Sequence, residues 1–321
     1  MTIKELWHTD SLHTEIRTKE LLPPDGTLII RSEYSLISAG TERIVASGLV
    51  PEEIYSFMKV PGMEGSFSFP LKYGYSVAGK VAGGPAELMG KCVHLMYPHQ
   101  DFILPGENEY TVVPDTLGPR KAVMAPIMET ALNAVWDSHV SAGDQVLVCG
   151  FGIVGAMTSM LLQRFPGVHV SVCEKEDYKN EIATSLGFSL FNSNNLPEHG
   201  FDVAFNTSAS GSGLQICLET TAIGASVVEM SWYGSEPQTI HLGRSFHPGR
   251  KRIVSSQVSS IPFERSANFS RKRRRMLVFD LLADHVIDKL PVDEIPFGEA
   301  PSFYETIRKK GHRNLCTVIK Y

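Results

Sequence analysis

Residues 144–174 read DQVLVCGFGIVGAMTSMLLQRFPGVHVSVCE. Residues 145–149 form a short apolar run fit for a buried strand. Gly150, Gly152 and Gly155 follow in the spacing G-x-G-x-x-G. The uncharged stretch 156–162 reads as a helix packed on a sheet, and 168–173 as a second strand with Glu174 at its end.

Each part of this pattern has a physical job. Gly150 allows the tight turn out of the strand. Gly152 has no side chain, so a pyrophosphate can approach the backbone. Gly155 lets helix and strand pack closely. The helix N-terminus, at Ile153 and Val154, offers free N–H groups and a positive dipole end to phosphates. Glu174 lies about 20 residues beyond the glycines, where an acid hydrogen-bonds a ribose 2′-hydroxyl. A lone glycine motif is weak evidence. One flanked by a strand, a helix, a second strand and an acid points to a bound dinucleotide.

Working outward, 321 residues are enough for two domains, each with its own core. A hydrophobic content of 43% with 20% charged residues is ordinary for a soluble globular chain. The net charge of −5 gives no global attraction to nucleic acid or anionic membrane, so neither is an expected partner. Five cysteines, an odd number with no C-x-x-C, fit a reducing cytoplasm rather than a disulfide framework. The first 20 residues lack an apolar core, so no signal peptide is expected. No run of 18 apolar residues is present, and no transmembrane helix is expected.

Residues 1–118 read as mostly β, with strands expected at 28–34, 75–82, 91–96 and 110–113 between Gly and Pro turns. From 119 the pattern alternates: a helix at 120–138, the dinucleotide unit, a strand at 202–206, a helix at 213–221, and strands at 225–230 and 252–256. This alternation predicts an α/β fold with a parallel doubly wound sheet over 119–262. Residues 263–321 predict helices at 270–284 and 299–310 and a final strand at 315–319 with no partner after it. That strand is expected to return to the N-terminal β domain.

This order resembles the medium-chain dehydrogenase/reductase family over nearly the whole chain. The resemblance implies a GroES-like β domain (1–118 and 263–321), a Rossmann domain (119–262), an active site in the cleft between them, and a homodimer. Residues 69–81, FPLKYGYSVAGKV, look like the family's P-x-x-x-G-H-E-x-x-G-x-V segment. Residues 37–42, ISAGTE, resemble its I-C-G-[ST]-D segment. Within the family the chain resembles the bacteriochlorophyllide a dehydrogenase-like branch through residues 38–43, 72–75, 97–101 and 246–258.

Zinc-dependent relatives hold a catalytic metal with a Cys, a His or His-Glu pair, and a later Cys or Glu. Here Ala39 stands at the first position, Tyr75 and Ser76 at the second, and Pro126 at the third. The structural zinc loop is missing too, because residues 83–118 contain only Cys92. Catalytic zinc needs three protein ligands, so the expectation is that this metal is lost. His94, His99 and Asp101, with Glu64 and Glu129, are the candidates for a substitute site; hydrogen-bonded or surface histidines are the expected reading.

Without a Lewis acid, a hydrogen-bond donor must stabilise the developing oxyanion during hydride transfer. Tyr75, at the family's metal-binding His, is the first candidate, with Thr41 at the position of the relay hydroxyl; packing and capping roles are the plain alternatives. The resemblance puts Thr130 against the nicotinamide. Asn206, Thr207 and Ser256 follow strand ends, where doubly wound sheets bind ligands. Glu174 favours NAD over NADP, and Lys175 and Lys179 soften that preference. His247 and Arg250 are candidates for an acidic group of a small-molecule substrate, while the basic run 271–275 reads as a solvated helix face with ion pairs. The expected reaction interconverts a secondary alcohol and a ketone. The alternatives are enone or quinone reduction, and dinucleotide binding without turnover.

Overall fold

The computed structural model describes residues 1–192 and 196–321. The chain forms two compact units, Met1–Ala125 with Phe279–Tyr321, and Pro126–Val278. The expected joins, after 118 and after 262, lie earlier than these. Helix Ala125–Ser138 and the start of helix Arg271–Ala283 are tied to each other, because Glu129 and Asn133 bind Arg274 and Arg275.

The second unit is built on one six-stranded sheet. Its order is Ser189–Leu190, His169–Cys173, Gln145–Cys149, Phe201–Asn206, Thr221–Glu229, Arg252–Ser255. Every neighbouring pair is parallel. The chain starts in the middle, winds one way, then returns and winds the other. The strand order therefore reverses between Gln145–Cys149 and Phe201–Asn206, which is where such sheets bind ligands. Leu147, Cys149, Phe201, Ala204, Leu214, Cys217 and Val227 pack as a core on one face.

The strand ends are in register. Cys149 pairs with Cys173 and Asn206, Asn206 with Glu229, and Glu229 with Ser255. One edge of the sheet thus carries Gly150, Glu174, Thr207, Met230 and Ser256 side by side.

The first unit holds a seven-stranded sheet around Ile29–Ile37 and a four-stranded one. The last strand, Cys316–Lys320, pairs antiparallel with Ile29–Ile37, as its lack of a later partner requires. Ile30, Val77, Val81, Val93, Leu95 and Ile103 form one core cluster.

Several elements differ from the sequence reading. Strands Thr2–His8 and Thr14–Glu20 pair antiparallel, although their polar residues hide them: on the first, Glu5 and His8 are buried along with Ile3 and Leu6. Residues 39–46, read only as a motif, form helix Ala39–Ala46. The helix expected at 120–138 is two helices, Pro119–Ala122 and Ala125–Ser138. Pro126 has no N–H to give the Ala122 carbonyl, so the first helix cannot run through it.

Candidate active site

The glycine turn has the geometry its sequence demands. Gly150 has φ 96°, and a Cβ there would lie 2.7 Å from the backbone of Ser208. A Cβ on Gly155 would lie 2.1 Å from the Gly150 carbonyl oxygen, so helix Ile153–Leu162 and the turn touch through bare backbone. A Cβ on Gly152 would meet nothing within 4 Å. This glycine precedes the first residue of the helix, and the open space beside it suits a phosphate. Thr207 donates its hydroxyl hydrogen to the Gly150 carbonyl at 2.7 Å and holds the turn from the neighbouring strand.

Glu174 is engaged by the chain itself. Its side chain is buried, and Oε2 accepts the Phe151 N–H at 2.7 Å. Oε1 accepts the N–H groups of Lys175 at 2.7 Å and Glu176 at 3.0 Å. A carboxylate offers about four lone-pair sites, and three of those on Glu174 accept backbone N–H groups. Lys179 Nζ lies 3.7 Å from Oε2, while Lys175 is exposed. These residues fit a dinucleotide.

Other expected contacts look elsewhere. The Thr130 hydroxyl bonds to the Pro126 carbonyl one helical turn back, at 2.9 Å. Ser256 donates its hydroxyl to Asp137 at 2.6 Å and its N–H to the Glu229 carbonyl at 3.0 Å. Buried Asn206 donates to Glu229 Oε2 at 2.8 Å and to the Tyr233 hydroxyl at 3.1 Å. The sequence reading missed Glu229 and Tyr233. The signal was present: 226–229, SVVE, repeats the pattern of 171–174, SVCE, an acid closing an apolar strand.

His247 and Arg250 are exposed and stand at the wrong end of the sheet. The Gly224 N–H donates to the Gly249 carbonyl, and Lys251 Nζ reaches the Leu218 and Thr221 carbonyls, all near the start of strand Thr221–Glu229. Topology compels this. A parallel sheet brings the chain back to the starting edge before each new strand, so residues just before Arg252 cannot line the edge that carries Gly150. In the basic run only Arg271, Lys272 and Arg273 are exposed. Arg274 is buried, and Arg275 pairs with Glu129 at 2.7 Å. The run is therefore a solvated face on one side and an internal anchor on the other.

In the first unit, the Tyr75 phenol lies beside Ser38 and Thr41. Both sit at the start of helix Ala39–Ala46, where Ser38 is the cap. Burial pushes the Tyr75 phenol up to about 12. Ser38 pulls it partway down, the Glu42 charge raises it again, and Thr41 lowers it. The phenol thus stays protonated at physiological pH and is suited to donate.

A catalytic zinc does not fit the residues at the family's ligand positions. Ala39 and Pro126 carry no donor. The Ser76 hydroxyl is committed to the Val123 carbonyl at 2.6 Å and to His94 Nε2 at 2.9 Å. Burial holds the Tyr75 hydroxyl protonated, which disfavours it as a ligand. Of the substitute ligands, His99 is bound to Glu42 and Ser35, Glu64 to Lys72 and Lys19, and Glu129 to two arginines. Among the described residues no three His, Cys, Asp or Glu side chains are grouped to hold a metal ion.

A β unit closed by the C-terminal strand, with a reversing parallel sheet that bears a glycine phosphate turn, defines the two-unit alcohol dehydrogenase fold. The solved structure of acetophenone reductase from Geotrichum candidum NBRC 4597 in complex with NAD has this fold. It superposes with a TM-score of 0.77 at 14% identity, covering 100% of this chain and 97% of that one. D-guloside 3-dehydrogenase of Escherichia coli strain K12 is 25% identical over 223 residues, 64% of this chain and 63% of its own length. An uncharacterized zinc-type alcohol dehydrogenase-like protein of the same strain, YphC, is 26% identical over 175 residues, 51% of this chain and 49% of its own. These matches span less than two thirds of either relative. No protein-family model matches the chain. The chain thus has the fold of these alcohol dehydrogenases and is similar in sequence to dehydrogenases over about half to two thirds of its length.

Proposed function

We propose that the protein is an NAD(P)-dependent oxidoreductase that interconverts a secondary alcohol and a ketone without zinc. The observation that carries this reading is the protonated Tyr75 phenol, beside Ser38 and Thr41 at the position of the family's metal ligand. The cofactor supplies the hydride. Tyr75 donates a proton to the carbonyl oxygen as negative charge develops there, and Thr41 orients the phenol. The glycine turn and Glu174 bind the adenosine half of the cofactor, and the carboxylate favours NAD over NADP. The homodimer, the cytoplasmic setting and a small-molecule substrate belong to the same proposal. The five thiols are free, and among the described residues no helix is long and apolar enough to cross a membrane.

The test is NADH and NADPH titration with metal analysis on the same sample, followed by a ketone and enone panel. Tight NADH binding, substoichiometric zinc and ketone turnover are expected. Tyr75→Phe should lower turnover about 10²- to 10⁴-fold, the usual contribution of a positioned acid. Stoichiometric zinc, with activity lost on chelation, would overturn the zinc-free reading. Turnover of enones alone would move it to enone reduction, and tight NADH binding with no turnover would leave a dinucleotide-binding protein.

A further inference from the structure

Three of the strings that carry the branch resemblance, at 38–43, 72–75 and 97–101, meet in one buried cluster. Its centre is Glu42 and His99, both with fully buried side chains, with Oε2 and Nε2 at 2.9 Å. Glu42 Oε2 also accepts the Tyr304 hydroxyl, and Oε1 accepts the Ser38 N–H at 2.9 Å. His99 Nδ1 is bonded to Ser35 Oγ at 2.8 Å, and Ser35 Oγ to the Tyr321 hydroxyl at 2.9 Å.

This pair holds Tyr75 from two sides. On the backbone side, the His99 N–H donates to the Tyr73 carbonyl at 3.2 Å. The His99 ring lies against Gly74, whose φ is 126°; a Cβ there would stand 2.6 Å from His99 Cδ2. Tyr73 and Gly74 immediately precede Tyr75, so the ring fixes the path of the chain into it. On the hydroxyl side, Glu42 fixes the Ser38 backbone, and Ser38 lies beside the Tyr75 phenol.

We propose that Glu42 and His99 are positioning residues for Tyr75, setting both the backbone that enters it and the place of Ser38 beside its phenol. The inference rests on the reading of Tyr75 as proton donor. A helix cap alone would need one carboxylate oxygen, with water on the other. Here every hydrogen-bonding atom of both side chains has a protein partner. Burial has stripped water from both groups, a cost that an apolar pair of the same volume avoids. The arrangement exploits what Gly74 permits: an imidazole packed against bare backbone one residue from the phenol.

The test uses the full chain with ring-¹³C-tyrosine, the Tyr75 signal assigned by its loss in Tyr75→Phe. The readouts are that signal, NADH affinity, and kcat and KM with acetophenone as the probe ketone. In Glu42→Gln and His99→Gln the Tyr75 signal should shift or split. The kcat should fall at least tenfold, with KM and NADH affinity within about threefold of the parent. Ser38→Ala leaves the buried pair intact and is the guard against misfolding of the other two; it should move the same signal. If Tyr75→Phe is inactive while Glu42→Gln and Ser38→Ala leave signal and kcat unchanged, the positioning role is wrong and the donor reading stands. If Tyr75→Phe turns over acetophenone like the parent, the donor reading fails and the positioning role falls with it.

Discussion

Glu174 Oε2 accepts the backbone N–H of Phe151 at 2.7 Å, so the acid that closes the second strand is tied to the middle of the glycine turn. This bond gives Glu174 two duties. It holds the turn and presents negative charge where a ribose would lie. Glu174→Gln keeps the shape and removes the charge. A hydrogen bond to a charged group contributes about 1.5–3 kcal/mol, so NADH affinity should fall about tenfold or more. The NADH-to-NADPH affinity ratio should fall as well, because the repulsion of a 2′-phosphate is gone. Calorimetric titration with both nucleotides measures this. An unchanged ratio would mean that the acid serves only the turn.

The two outer glycines of the turn and the middle one should fail in different ways. Gly155→Ala puts a Cβ 2.1 Å from the Gly150 carbonyl oxygen. The helix must shift, so both thermal stability and NADH binding should drop. Gly152→Ala meets no protein atom within 4 Å. Its melting temperature should stay near that of the parent while NADH binding weakens, because the added methyl occupies the space of the pyrophosphate. A Gly152→Ala variant that binds NADH normally would show that the phosphates lie elsewhere.

The dinucleotide unit was legible because its signals are local. The glycine spacing, the apolar strand runs and the closing acid all lie within 144–174. Topology then fixed the far end of the sheet, and applying it to the residues before Arg252 would have removed His247 and Arg250 from the candidates. The Tyr75 surroundings were legible only in part. Thr41 and Tyr75 came from aligned motifs, but Glu42 and His99 are 57 residues apart, and Ser35 and Tyr321 are 286 apart. No periodicity couples positions so distant; Ser35 and Tyr321 meet through the pairing of Cys316–Lys320 with Ile29–Ile37, and His99 is placed by backbone bonds to Leu6 and Tyr73. Strands Thr2–His8 and Thr14–Glu20 escaped because polar residues, with Glu5 and His8 buried among them, mask the pattern.

Glu129 is the internal anchor of the basic run. It accepts Arg275 Nε at 3.0 Å and Nη2 at 2.7 Å, with Arg274 Nε at 3.4 Å, while Arg274 Nη1 reaches Asn133 Oδ1 at 2.7 Å. Glu129→Ala leaves the buried Arg274 guanidinium without its carboxylate. Breaking a buried pair on one side costs about 3–5 kcal/mol. Urea denaturation should show a loss of this size. A loss of under about 1 kcal/mol, the value for exposed ion pairs, would mean that water reaches the pair. Lys272→Ala, on the exposed face, should change stability by no more than about 0.5 kcal/mol.

His8 should make the fold acid-sensitive. Its side chain is fully buried, with Nδ1 bonded to Thr14 Oγ1 at 2.8 Å and Nε2 without a partner. Burial, then the charges of Arg308 and His99, lower its pKa from the usual 6.5 to about 3. The native state therefore keeps His8 neutral, while the unfolded chain takes up a proton near its ordinary pKa. The stabilising contribution is complete above pH 6.5 and is lost progressively as pH falls toward about 3. A shift of this size corresponds to roughly 4–5 kcal/mol over the whole window. His8→Gln has no proton to gain, so its urea stability should depend less on pH between those limits than that of the parent. Parallel pH dependence of the two proteins would show that His8 does not control the acid limb.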